Sequence, residues 1–83
     1  MDECLLNIIY LRSGPMLLTR KPYRDWREIQ DEFEDYQTSL GAWSISEVLE
    51  FLQWEYPAFM TEGEQTRITQ FIESEEEQME LFA

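Results

Sequence analysis

The sequence predicts a mainly α fold, a small bundle of three or four helices, and three observations point there. Apolar residues recur at steps of three and four from Trp26 onward, the period of one helix face. Two stretches, "SISE" at 44–47 and "TEGE" at 61–64, have the spacing of capping boxes. In these a hydroxyl and a carboxylate three residues apart satisfy the free amides of a helix start. Finally, 83 residues with 43% hydrophobic and 14% aromatic content can bury one core, with little room for a second.

Residues 4–20 admit two readings. "CLLNIIYL", "RSGP" and "MLLTR" read as a β-hairpin with a four-residue turn. Equally, Asp2 could cap a short helix carrying Leu5, Ile8 and Ile9, closed by Gly14-Pro15. The clustering of Ile8, Ile9 and Tyr10 favours strand and the caps favour helix. A lone hairpin is marginal unless helices cover it. The bundle is the expectation, and an α+β fold with a hairpin over residues 4–20 packed on three helices is the alternative.

The next segment is expected to be a helix with Trp26, Ile29, Phe33, Tyr36 and Leu40 in one stripe. Asp25 and Glu28 cap it, and Gly41 stops it. The second helix opens at Ser44, carries Ile45, Val48, Leu49, Leu52 and Tyr56, and ends at Pro57. Phe51 and Trp54 fall beside its stripe, so with Phe59 they are candidates for an apolar contact patch or a homodimer face. The third opens at Thr61 with Glu64 closing the box, packs Ile68, Phe71 and Ile72, and ends near Glu73 or Ser74. Acids at a helix C-terminus oppose its dipole. The chain is thus expected to be one domain, 1–83, with residues 75–83 a loosely held tail.

Eighteen acids oppose six bases, a net charge of −12, and the balance is lopsided. Residues 1–27 hold three acids and five bases; residues 28–83 hold fifteen acids and one base, Arg67. Such a chain is repelled by nucleic acid and by anionic lipid and attracted to basic surfaces. Direct nucleic-acid or membrane binding is therefore not expected. Arg20, Lys21, Arg24 and Arg27, interleaved with Tyr23 and Trp26, are read as neutralising acids within the protein.

The chemistry of catalysis is missing from the sequence. There is no histidine, a single cysteine (Cys4, read as core), no glycine-rich phosphate loop, and an acid cluster "DEFED" at 31–35 without calcium-loop spacing. No enzyme, metal or other cofactor is expected. The acidic start "MDE" is unlike a signal peptide, and no apolar run approaches a membrane span. The expected setting is the cytoplasm, that of the host if the chain is phage-encoded.

Two constellations suggest partners. Glu28, Asp31, Glu32 and Asp35 would line one helix ridge, and Glu73, Glu76, Glu77 and Glu80 another. Carboxylates about 5–6 Å apart along a ridge approach the scale of phosphates, spaced about 3.4 Å per step along one strand. Such rows can fill a basic groove built for DNA; the bland reading is a solvated face. In size, acidity and aromatic content the chain resembles the small antidefence proteins of phages and plasmids. These include anti-CRISPR and antirestriction proteins and inhibitors of DNA repair enzymes, several of which imitate DNA. The resemblance is one of composition over the whole chain, so no functional residue carries over. It implies a mobile-element inhibitor that blocks a host DNA-handling protein.

The second constellation is Gln78-Met79-Glu80-Leu81-Phe82. It resembles the Q-L-S/D-L-F peptide by which bacterial replication and repair proteins dock on the sliding clamp. Gln78, Leu81 and Phe82 match, Met79 is a tolerated apolar residue, and Glu80 replaces Ser or Asp. The resemblance implies a clamp accessory or inhibitor. The competing reading has Met79, Leu81 and Phe82 closing the core. A subunit or assembly chaperone using the wide aromatic face of the second helix is a further alternative.

Overall fold

The computed structural model describes residues 5–82. The readings of Asp2 as a cap and Cys4 as core lie outside the described residues. The element order is β1 (Leu6–Leu11), β2 (Met16–Thr19), α1 (Trp26–Glu32), β3 (Tyr36–Trp43), α2 (Ile45–Glu55), α3 (Glu62–Glu73) and β4 (Gln78–Leu81). The strands form one antiparallel sheet in the order β3-β1-β2-β4. The fold is α+β, and the mainly helical expectation is corrected.

The physical reason sits in the middle of the sheet. Ile8 and Ile9 are both fully buried although adjacent, as are Leu17 and Leu18 or nearly so. Successive residues of a strand point to opposite faces, so this requires a sheet covered on both sides. Leu6, Ile8 and Leu18 meet Val48, Leu52, Met60, Ile68, Phe71 and Leu81 beneath α2 and α3. Ile9 and Leu17 meet Ile29 beneath α1, with Leu11, Tyr23, Phe33 and Tyr36 around them. Three layers result, with the sheet between one short helix and two longer ones.

The hairpin alternative is what the structure shows for residues 6–19. Arg12–Pro15 form the turn, where Gly14 donates its amide to the Leu11 carbonyl at 3.0 Å. Gly14 has φ +116°, a conformation a side chain would oppose.

The helix expected from Trp26 to Leu40 stops early. Asp25 caps it, accepting from the Arg27 amide at 2.9 Å, and Glu28 reaches back to the Arg24 amide at 2.7 Å. At Phe33 the backbone turns extended. Tyr36 and Leu40, which continue the helical period by coincidence, lie instead on β3, paired with Leu11 and Ile8. The exposed edge of β1 needed a neighbour, and Tyr36–Trp43 supplies it. Gly41, expected to stop a helix, sits in this strand at φ +127° beside a register shift. A Cβ there would stand 2.6 Å from the Leu6 carbonyl oxygen, so only glycine lets β3 approach β1 so closely.

α2 and α3 form as expected. Ser44 and Glu47 close a full capping box, at 3.3 and 3.0 Å, and Tyr56 ends α2 just before Pro57. Thr61 caps α3 by accepting from the Glu64 amide at 3.2 Å, and α3 ends at Glu73. The Glu64 side chain does not return to Thr61; it is used elsewhere.

Candidate partner-binding face

The charges sort by region. Residues 5–44 carry six acids and five bases, a net −1; residues 45–83 carry ten acids and one base, a net −9. The bases of the first region are largely engaged locally. Lys21 pairs with Glu32, and Arg24 lies 3.8 Å from Glu28. Arg20 donates to the Phe71 and Ile72 carbonyls and stacks 4.5 Å from the centre of the Phe71 ring. It thus places a cation at the negative end of α3, where no residue of that helix's own last turn is basic. Arg27 lies over the Trp26 ring at 5.5 Å. Of the four bases read as internal neutralisers, Lys21 and Arg24 thus pair with acids of α1, while Arg20 serves the end of α3 and Arg27 lies on an aromatic ring.

The first acidic row is thereby mostly engaged. Glu28 holds Arg24, and Glu32 accepts from both Lys21 and Tyr23. Asp35 lies past the helix end and accepts from the Ser13 hydroxyl, so it is not on the α1 ridge. Asp31 is left exposed. Hydrogen bonds from Lys21 and then Tyr23 hold the Glu32 carboxyl below the ordinary carboxylate range, and Glu32 in turn raises Lys21. Burial, reinforced by the bond to Glu32, pushes the Tyr23 phenol up.

The second row is not a helical ridge either. Glu73 ends α3, Glu76 and Glu77 lie in the connection that follows, and Glu80 is on β4. All four side chains are exposed, and they wrap around one edge of the sheet. With them the exposed acids of the second region are Glu47, Glu50 and Glu55 on α2, Glu62 on α3, and Glu75. Those five were not singled out from the sequence, although a helix with three acids and no base was visible in residues 45–55.

The C-terminal peptide is part of the sheet. Gln78–Leu81 pair with β2, Met79 opposite Leu18 and Leu81 opposite Met16. Met79 and Leu81 turn toward the larger core, and Leu81 is buried. Phe82 packs against Tyr56 and Phe59, with ring centres 5.5 Å away in both cases. Gln78 and Glu80 face outward. The loose tail expected for 75–83 is, over 78–82, a strand and its anchor.

A three-membered clamp holds that end. Glu64, buried, accepts from the Phe82 amide at 2.9 Å and from Arg67 at 2.6 Å. Arg67 also donates to the Glu80 carbonyl at 3.1 Å. The one base of the acidic region is therefore tied to a buried carboxylate and to backbone, leaving the surface carboxylates around it unneutralised.

Beside α2 lies an open groove of about 830 Å³, lined by Trp43, Glu47, Glu50, Phe51, Gln53 and Trp54. Trp43 ends β3, and its ring centre lies 5.3 Å from that of Phe51. Glu47, Glu50, Phe51 and Trp54 follow at helical steps along the outer side of α2. Trp54 is 82% exposed, the most exposed of the large apolar residues described. Phe51 and Trp54 were expected as contact candidates beside Phe59. The structure joins Phe51 and Trp54 to Trp43 instead, and sets Phe59 against Phe82.

Comparison of the chain with known protein families, with curated proteins and with solved structures finds no match. Among the described residues, no group of three or more candidate ligands could hold a metal ion, and no helix is long and apolar enough to cross a membrane.

Proposed function

We propose that the chain is a non-enzymatic interaction protein that docks its α2–α3 side on a basic, nucleic-acid-binding surface of a partner. The carboxylates stand in for phosphates, and binding keeps DNA out. The observation that carries this reading is the segregation of charge: a net −9 on residues 45–83, with Arg67 as the only base and that base engaged by Glu64 and the Glu80 carbonyl. Solubility alone does not call for such an imbalance, because self-repulsion of like charge destabilises a compact state. The setting that suits the role is a host cytoplasm and a mobile-element origin, with a DNA-handling protein as target.

The surface that performs this is not the pair of helical ridges. Glu73, Glu76 and Glu77 remain in it, joined by Glu47, Glu50, Glu55, Glu62 and Glu75, whereas Glu80, paired with Leu17, faces the α1 side of the sheet. The row of Glu28, Asp31, Glu32 and Asp35 contributes little, since three of its carboxylates have partners within the chain. Sliding-clamp docking through Gln78, Met79, Leu81 and Phe82 would require β4 to leave β2 and Leu81 to leave the core.

The test is capture of bacterial proteins on the intact chain with duplex DNA as competitor. A DNA-handling protein that is held at low salt and released by duplex DNA, by raised salt and by the triple change Glu73→Lys, Glu76→Lys, Glu77→Lys is the expected result. Capture indifferent to duplex DNA and to the charge reversal would sink the reading. A truncation at Glu77 is unsuitable as a test, because it deletes β4.

A further inference from the structure

The groove beside α2 points to a more specific contact, which deepens the proposed function and rests on it: the structure assigns Trp43, Phe51 and Trp54, with Glu47 and Glu50, as a receptor for an arginine side chain of the basic partner. Three features converge here. Aromatic faces line the groove, and one of them, the Trp54 indole, is almost wholly open to solvent. Two carboxylates sit one helical turn apart on the same side of α2. The capping box holds Glu47 in place through its bond from the Ser44 amide at 3.0 Å, and Glu50 has no ion pair among the described residues.

The occupant follows from charge and shape. No base lines the groove, and it lies in the region of net −9. An acidic peptide would be repelled, and a purely apolar side chain would leave two carboxylates beside it losing water without compensation. A cation is therefore favoured. Between the two cations, arginine fits better than lysine: its planar guanidinium is more weakly hydrated, stacks on indole faces, and can offer a fork of N–H donors to a carboxylate. The protein makes cation–aromatic contacts within itself, with Arg20 over Phe71 at 4.5 Å, Arg27 over Trp26 at 5.5 Å and Lys21 over Tyr23 at 5.6 Å. The groove offers the same aromatic face with carboxylates added and the guanidinium still to come. An arginine on a DNA-binding surface is also the residue that such a surface presents to phosphates. The groove thus gives the acidic face a point of register that carboxylates alone would lack.

The experiment follows the three indole N–H signals of the 15N-labelled full chain by NMR at low salt. The titrant is a blocked glycine–arginine peptide, and then its glycine–lysine counterpart. Trp26, on the opposite side of the sheet, is an internal control. Expected are shifts of the Trp43 and Trp54 indoles with Trp26 still, tighter binding of the arginine peptide than of the lysine peptide, and a weakening of roughly threefold to thirtyfold on Trp54→Ala. Glu50→Gln should weaken the arginine peptide too. Trp54 is too exposed for its removal to unfold the chain, and unchanged backbone spectra would verify this.

Several outcomes overturn the inference. One is the absence of any arginine-dependent shift at the two indoles. Another is equal binding of both peptides with no effect of Trp54→Ala, which is simple charge attraction. A third is Trp43 and Trp54 shifts that grow with protein concentration alone, which puts a second copy of the chain in the groove. None of these touches the DNA-competition result, so the groove can fail while the acidic-face reading stands. Loss of that competition with the indole response intact would mean the reverse.

Discussion

The two sides of the sheet are built on different terms. Under α1 the core is small, with Ile9, Leu17 and Ile29 buried, and charge nearly balances, six acids against five bases over residues 5–44. Under α2 and α3 the core is three times as populous in buried residues, and the charge outside it is almost all negative. The difference teaches where the stability of this fold resides. The α1 side supplements a thin apolar layer with specific polar joins such as Lys21–Glu32 and Arg24–Glu28. The α2–α3 side has enough buried area to tolerate repulsion among its surface carboxylates. At about 25 cal/mol for each Å² of apolar surface removed from water, its nine buried side chains outweigh the solvent-screened repulsion between exposed charges.

The largest expected effect tests that asymmetry directly. Ile68→Ala, from the centre of the larger core, should cost about 3–5 kcal/mol and bring a domain of this size close to unfolding. Ile29→Ala, beneath a seven-residue helix able to settle onto the sheet, should lie nearer 2 kcal/mol. Urea unfolding midpoints of the two variants would decide. Equal losses would mean that the α1 layer carries as much of the fold as the other.

Next in size is the clamp at the end of β4. Arg67→Met strands the Glu64 carboxylate, only 8% exposed, without its cation. The loss should be about 1–3 kcal/mol, reduced by the solvent that reaches Arg67. Hydrogen exchange gives the sharper reading, since the amides of residues 79–82 should open well before those of β1. Glu64→Gln keeps an oxygen for the Phe82 amide and should do less. Ser44→Ala, which removes one bond of the α2 capping box, should cost about 1 kcal/mol in the same denaturation assay.

What the sequence could disclose follows the range of the interactions involved. α2 and α3 were legible because their boundaries are set by neighbours in the chain: Ser44 with Glu47, Thr61 with the Glu64 amide, Pro57 after Tyr56. β3 was not, because the period of three and four runs unbroken from Trp26 to Leu40. Only the pairing of Leu40 with Ile8, more than thirty residues away, decides against helix. The end of the chain lay between these cases. Gln78 to Leu81 alternate outward and inward, a strand period present in the residues themselves, yet a strand there has meaning only once β2 offers its edge. The candidate groove was half visible: Phe51 and Trp54 stood off the helix stripe, but Trp43 joins them through the course of β3.

The smallest expected effect separates the two sides by pH. The folded protein holds the Glu32 carboxyl below its ordinary value, so the ionised form is favoured by folding. Its contribution is present above the unfolded carboxylate value of about 4.3 and is lost as pH falls through the folded value. Lys21 is shifted the other way, so its contribution is complete below the ordinary lysine value and declines only in strong alkali. Both groups are well solvated, so solvent screening keeps the contribution of the pair small at neutral pH. Glu32→Gln should therefore melt slightly below the unaltered chain at pH 7, and the gap should narrow as the pH falls below the ordinary carboxylate range. Removing charge from the exposed carboxylates of residues 45–83 acts oppositely, because it relieves repulsion. Neutralising Glu75, Glu76 and Glu77 to glutamine should accordingly raise the melting temperature at pH 7, and by less as salt is added. A Glu32→Gln offset independent of pH, together with a triple variant no more stable than the unaltered chain, would mean that charge is not what distinguishes the two sides.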